Sequence, residues 1–254
     1  MENEMIHTEC AVVWQSIFYN LRTRILSFDL LPGDMLSENV LAAEMNVSRT
    51  PVRDAMTRLA EEGYVVVYPQ RGTVVSLIGT ERVRQAVFLR VVLEHAVVDA
   101  LCRQGLSAQQ VQMLEDSLTC QRAMQEEHKV LSMLEEDDRM HHMLYEFAGH
   151  PYTEDALRMI DSDQMRVRYL QMHTFSYNPR VQLSPMMGMG WENCLLEHRM
   201  LLDALKKGDS EAACLIDVNH INAVLWNTEN LRKICRAFEE DMSRPMLKRL
   251  FKPC

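Results

Sequence analysis

The chain has 254 residues, 47% of them apolar and 25% charged, with a net charge of −9 at pH 7. That length allows roughly two domains of about 100–200 residues each. The composition excludes a disordered chain, a fibrous repeat or a small disulfide scaffold. No run of about 18 apolar residues is available to cross a membrane. The acidic start, Met1 to His7, lacks the basic region and apolar core of a signal peptide, so a cytoplasmic location is expected. Seven cysteines, odd in number and without a Cys-x-x-Cys pair, are expected to be reduced and mostly structural. The acidic balance argues against indiscriminate nucleic-acid binding. It still permits a sequence-specific binder whose basic residues cluster locally.

Apolar residues at three-to-four spacing predict a helix over Trp14–Phe28, ended by Leu31-Pro32-Gly33-Asp34. Ser37 is placed to cap a short helix over Glu38–Met45, and Ser48 a third helix reaching about Glu62. Pro51 falls in the first turn of that third helix, where its missing N–H costs nothing. Two β-rich runs, Tyr64–Tyr68 and Thr73–Leu77, flank a Gly-containing loop and predict a hairpin. Three helices and a hairpin are the plan of a winged helix-turn-helix. Beyond Gly79 only helical patterns remain, expected near 80–104, 107–129, 131–148, 151–173, 190–207, 209–231 and 235–250, with Ser107 and Asp209 as caps. The expected fold is therefore mainly α. A winged helix-turn-helix domain occupies 1–78 and an all-helical bundle 79–254, with the 175–190 stretch as a long loop over a pocket.

A helix-turn-helix lays the start of its second helix in the major groove. Here that start is Ser48-Arg49-Thr50-Pro51-Val52-Arg53, with Arg49 and Arg53 four apart on one face. An arginine fork suits the paired acceptors of guanine. Thr50 is placed for a phosphate, and Arg71-Gly72 for the wing tip, where glycine allows close approach to the DNA backbone. The same two arginines could equally form a solvated face paired with Asp54 or Glu61. Residues 1–78 hold six arginines, no lysine and ten acids, so binding depends on clustering.

The run Leu21–Ser27, Leu31-Pro32-Gly33-Asp34 with Ser37-Glu38, Leu41 to Ala55 and Arg71 to Val75 closely resembles the N-terminal domain of GntR-family transcription regulators. The resemblance implies that Arg49 and Arg53 contact operator bases and that Gly72 lies at the wing tip. The family often adds a contact from the segment before the recognition helix. This chain offers Ser37 there and no arginine.

In the helical region, Asp138 and His142 are four apart on one expected helix, and His198 and His220 sit mid-helix. One carboxylate and three imidazoles form an N/O set suited to a divalent zinc, nickel or manganese ion. Asp137 and His141 are an equally spaced alternative. The region also resembles the FCD effector domain of the FadR subfamily, through Arg90-x-x-x-Glu94, Asp138-x-x-x-His142 with Ala148-Gly149-His150-Pro151, and Glu197-His198 with His220. That likeness favours the Asp138/His142 register and implies a metal with a small carboxylate ligand completing its shell. It departs from the family in His141, at a place usually aromatic. Arg90 is the expected partner of an effector carboxylate, its bland alternative being a helical pair with Glu94. His150 is expected as a helix cap.

The chain is thus expected to be a homodimeric, ligand-responsive regulator of double-stranded operator DNA, repression being the commonest family behaviour. The competing class is a metal-dependent enzyme in which Glu94 or Glu197 serves as general base.

Overall fold

The computed structural model describes residues 2–177 and 191–234, with side chains placed for 13–153, 155–173, 193–225 and Thr228. The helix expected over 235–250, most of the 175–190 loop, Cys235, Cys254 and the side chains of Cys10 and Trp191 lie outside the described residues. The described chain divides into two compact units, the first ending at Gly79 and the second running from Thr80 to Ile234.

The first unit contains α1 (Glu2–Leu26), β1 (Met35–Leu36), α2 (Glu38–Glu44), α3 (Arg49–Glu61), β2 (Val65–Tyr68) and β3 (Gly72–Val75). Ser37 caps α2 by accepting from the Val40 N–H, whereas Ser48 occupies the N-cap of α3 without a side-chain cap bond. Leu21 and Ile25 of α1 and Val52, Ala55 and Leu59 of α3 are fully buried, and these two helices pack together. Tyr64, Val65 and Val75 close the core from the hairpin.

β1 is absent from the sequence expectation. It pairs antiparallel with β3, Met35 opposite Val74, making a three-stranded sheet in the order β1-β3-β2. Two residues carry no readable alternation. The strand exists because the turn before it delivers the chain: Gly33 takes φ +86°, and its N–H donates to Val75 O at 2.8 Å.

The second unit is a bundle of α4 (Thr80–Gln104), α5 (Ala108–Glu126), α6 (Val130–Phe147), α7 (Pro151–Arg158), α8 (Ser162–Tyr177), α9 (Trp191–Lys207) and α10 (Ser210–Ile234). α4 packs along α10, α5 along α6 and α9, and α8 against α4, α6 and α10. Val98, Leu101, Leu114, Leu144, Tyr145, Leu201 and Leu205 form its apolar centre. His150 does occupy the N-cap of α7, but without a side-chain cap bond.

The single helix expected over 151–173 is two helices, divided after Arg158. The second of them is buried from Ser162 through Gln171 without interruption. Its polar groups are satisfied internally: Arg166 pairs with Asp163, Arg82 Nε lies 3.2 Å from Asp163, and Gln171 donates to Val224 O at 2.7 Å.

α5 opens with a full capping box, in which Ser107 accepts from Gln110 N–H and Gln110 Oε1 accepts from Ser107 N–H. Ser107→Ala should destabilise the bundle by about 0.5–2 kcal/mol, read as a lowered Tm with unchanged helical circular dichroism.

Candidate nucleic-acid interface and metal centre

At the start of α3, Arg49, Thr50 and Arg53 are exposed while Pro51 and Val52 between them are buried, so the helix presents one polar edge. Neither arginine pairs with Asp54 or Glu61. Both are gathered by Glu38 at the start of α2: Arg49 Nη2 donates to Glu38 Oε2 at 3.0 Å, and Arg53 donates from Nε at 3.1 Å and Nη2 at 3.0 Å. The hydrogen bonds from Arg53, and then that from Arg49, hold Glu38 below the usual carboxylate range. Three other arginines of the unit are committed elsewhere: Arg22 to Tyr64, Arg24 to Glu44 and Arg58 to Glu61 and Glu62. Clustering thus answers the acidic charge of this unit, because Arg24 and Arg58 neutralise acids away from the edge. Arg71 is exposed before Gly72, which takes φ +106° at the start of β3.

In the helical unit four side chains converge from three helices. Asp137 and His141 come from α6, His198 from α9 and His220 from α10, with one potential ligand atom of each within 4.8 Å of the others. His198 Nε2 lies 3.3 Å from Asp137 Oδ1 and 3.2 Å from His220 Nε2. Each ring is held through its other nitrogen: His141 Nδ1 on Glu94 at 2.5 Å, His198 Nδ1 on Gln121 Oε1 at 2.9 Å, and His220 Nδ1 on Glu197 at 2.8 Å. Outer partners of this kind fix tautomer and ring orientation in metal-ligating histidines. Arg168 takes the second oxygen of Asp137, leaving Oδ1 to face the rings. His141 Nε2 is buried with no hydrogen-bond partner. A divalent ion accepting neutral imidazoles and one carboxylate oxygen fits this donor set and would satisfy that nitrogen.

The electrostatics agree for Asp137, His198 and His220, whereas at His141 burial works to lower the ring and Glu94 more than reverses it. Burial works to raise Asp137, but Arg168 and the histidines hold it well below the usual carboxylate range. Burial, and then the nearby His220, keep His198 neutral, and burial lowers His220 as well. Burial also works to raise Glu94, and Arg90 with His141 more than reverses it. Glu94 has two partners, His141 Nδ1 and Arg90, whose Nε donates to it at 2.5 Å. Arg90 keeps one buried nitrogen, Nη2, without a partner. It lines an open cavity with about 560 Å³ of empty space, part of it open to solvent, together with Arg168, Asn193, Cys194, Glu197 and His220.

Comparison with known proteins matches two family models, the bacterial regulatory proteins of the gntR family over residues 14–75 and the FCD domain over residues 85–223. The chain belongs to the GntR family. It is 33% identical over 218 residues to an HTH-type transcriptional regulator in an unstable DNA locus of Streptomyces ambofaciens, covering 86% of each chain. It is 30% identical over 219 residues to the HTH-type transcriptional repressor RspR of Escherichia coli, covering 86% of this chain and 90% of that protein. The fold is that of E. coli McbR/YncC, with a TM-score of 0.67 at 20% identity over 87% of this chain and 97% of that one. A GntR regulator from Rhodococcus matches with a TM-score of 0.65 at 20% identity, over 84% and 96% of the two chains. GntR proteins with FCD domains are transcription regulators, which leaves the enzyme reading without support.

Within this GntR chain the geometry brings together Asp137 and His141, the alternative pair on α6. His198 and His220 lie in the cluster, but Asp138 and His142 do not join it. Asp138 is partly exposed and pairs with Arg168 at 3.1 Å, while His142 lies 3.3 Å from Glu146. The reason is the buried stripe of α6, which runs through Met133, Asp137, Met140, His141 and Leu144 and turns the next residue outward. That stripe is readable from apolar spacing and is the signal that points to Asp137/His141. Glu38, Gln121 and Glu197 were the residues sequence reasoning missed as partners. Glu38 and Glu197 lay inside recognised motifs, Ser37-Glu38 and Glu197-His198, and Gln121 in neither.

Proposed function

We propose that this regulator is a metal-dependent, carboxylate-responsive repressor acting as a homodimer on a near-palindromic operator. Asp137, His141, His198 and His220 would hold a zinc, nickel or manganese ion, and Arg90 beside them would receive the effector carboxylate as a paired hydrogen-bond donor. The observation that carries this reading is the arrangement of three rings pinned through Nδ1 around one carboxylate oxygen, with an unpartnered Arg90 nitrogen in the adjoining cavity. The bound ion would supply positive charge for an anionic ligand; the chain's own groups orient it and exclude competing partners. Arg49 and Arg53 would read guanines, with Thr50, Arg71 and Gly72 on the sugar-phosphate backbone. Repression is supported by the name of the relative RspR. Effector control requires different affinity for two arrangements of the DNA-reading units, and two copies would span half-sites about 10 bp apart.

The test is thermal unfolding against a panel of small carboxylates, before and after chelation and metal return. A ligand at about 100 times its Kd adds roughly 2.7 kcal/mol. One acid should raise Tm only in the metal-loaded protein. A response that survives chelation would separate the effector from the ion. Arg90→Ala should abolish that acid's shift while leaving metal content unchanged, as measured by elemental analysis.

A further inference from the structure

α4 carries an outward stripe that the bundle leaves uncovered. Phe88 is 69% exposed and Val92 50%. Among the described large apolar side chains of the helical unit, only Tyr152 is more exposed than Phe88. Ala96 continues the stripe one turn beyond Val92; exposed Glu81 and Arg84 lie at one end, exposed Arg103 and partly exposed Asp99 at the other. Steps of three and four residues keep these side chains on one helical face. Leu215 of α10, 61% exposed, adds apolar surface at the level of His95, because the preceding Cys214 donates its S–H to His95 O at 3.7 Å.

The stripe is self-complementary when reversed about Val92. Glu81 stands eleven residues before Val92 and Arg103 eleven after it. Phe88 stands four before and Ala96 four after, while Arg84 stands eight before and Asp99 seven after. Two copies of α4 laid antiparallel, with Val92 meeting Val92, bring each Glu81 to the partner's Arg103 and each Arg84 to the partner's Asp99. Each Phe88 ring then covers the partner's small Ala96. Parallel pairing sets every charge against its own kind instead. Within one chain Glu81 bonds Arg84 and Gln85, and Arg103 bonds Asp99. Such exposed helical pairs contribute little alone, so a partner's charges can join them at small cost.

We infer that this face of α4 docks a second copy of this chain, antiparallel about a two-fold axis at Val92. This rests on the homodimer proposed above and assigns its contact surface. An isologous contact requires one patch to match itself, which the reversal of charge and size about Val92 supplies. A partner of another sequence would require no such reversal. The exposed pair Leu196 and Met200 on α9 has no matching arrangement of charges about it and is left outside the contact.

The experiment measures the mass of the full chain by sedimentation over a dilution series. The wild type should sediment as two chains. Val92→Glu sets two carboxylates against each other on the axis and should weaken dimerisation about tenfold or more, with helical circular dichroism unchanged. Leu196→Glu, on the other exposed apolar pair, should leave the dimer intact. Mixing separates docking from folding. Glu81→Arg alone faces Arg103 with a like charge, and Arg103→Glu alone faces Glu81 with one. Each should dimerise more weakly than the wild type. Mixed with different affinity tags, the two variants should pair preferentially with each other, because every facing pair then has opposite signs. A wild-type dimer that Val92→Glu leaves intact would overturn the α4 surface while the homodimer stands. Mixing without preference would overturn the antiparallel register and with it the inference. A wild type that sediments as one chain at every concentration would overturn both the homodimer and its surface.

Discussion

Arg53→Ala should leave the first unit folded and reduce binding to a selected operator by about 5- to 150-fold, the equivalent of 1–3 kcal/mol for one guanine contact. The side chain is exposed and makes no core contact, so the fold has little to lose. Its guanidinium spends the edge carrying Nε on Glu38, which leaves the terminal edge for a base. A duplex enriched by the wild type from a random library supplies the probe, read by fluorescence anisotropy beside an unrelated duplex. Affinity for the unrelated duplex should change far less, because a base contact contributes discrimination. Equal loss on both duplexes would make Arg53 a phosphate contact. Glu38→Gln keeps the shape but removes the charge that draws Arg49 and Arg53 together, so it should erode discrimination without abolishing binding.

His198→Ala should release the metal and lower the Tm of the loaded protein. A metal at about 100 times its Kd contributes roughly 2.7 kcal/mol, or about 5–10 °C for a unit of this size. The substitution also strips Gln121 of its partner in a fully buried place, adding to the loss. His141→Ala should behave alike, because it removes a ligand and takes from Glu94 the ring it holds. His142→Ala is the decisive control. Its ring sits outside the convergence, so metal content and metal-dependent Tm should stay at wild-type values. The reverse result, with His142 essential and His141 dispensable, would restore the other register.

Much of this protein is legible in its sequence because local signals agree with the fold. Ser107 and Gln110 announce the capping box that the structure contains, and Asp209 accepts from the Ala212 N–H as a cap should. Gly63, Gly105, Gly149 and Gly208, each just past the end of a helix, all adopt positive φ. Arg49 and Arg53 are readable as one face because the helical period is fixed by the backbone. The interrupted helix after Arg158 is less visible. Asp163, Gln164, Arg166, Arg168 and Gln171 look like a solvent face, yet α8 is buried there: Arg166 pairs with Asp163 along the helix, Arg168 with Asp137 on α6 and Gln171 with Val224 O on α10.

Residue type and spacing alone therefore determine the winged helix-turn-helix, the helical bundle and the histidines that can meet, since each depends on period, caps and turns within a few residues. Tertiary structure decides the rest. It selects Asp137/His141 over the pair one residue on, because a step of one turns a side chain about 100° around a helix and only packing says which side is inside. It also joins Glu38 to arginines 11 and 15 residues away, and brings Cys194 to an aspartate 57 residues earlier. No local period encodes such distances; they exist only once the helices have packed.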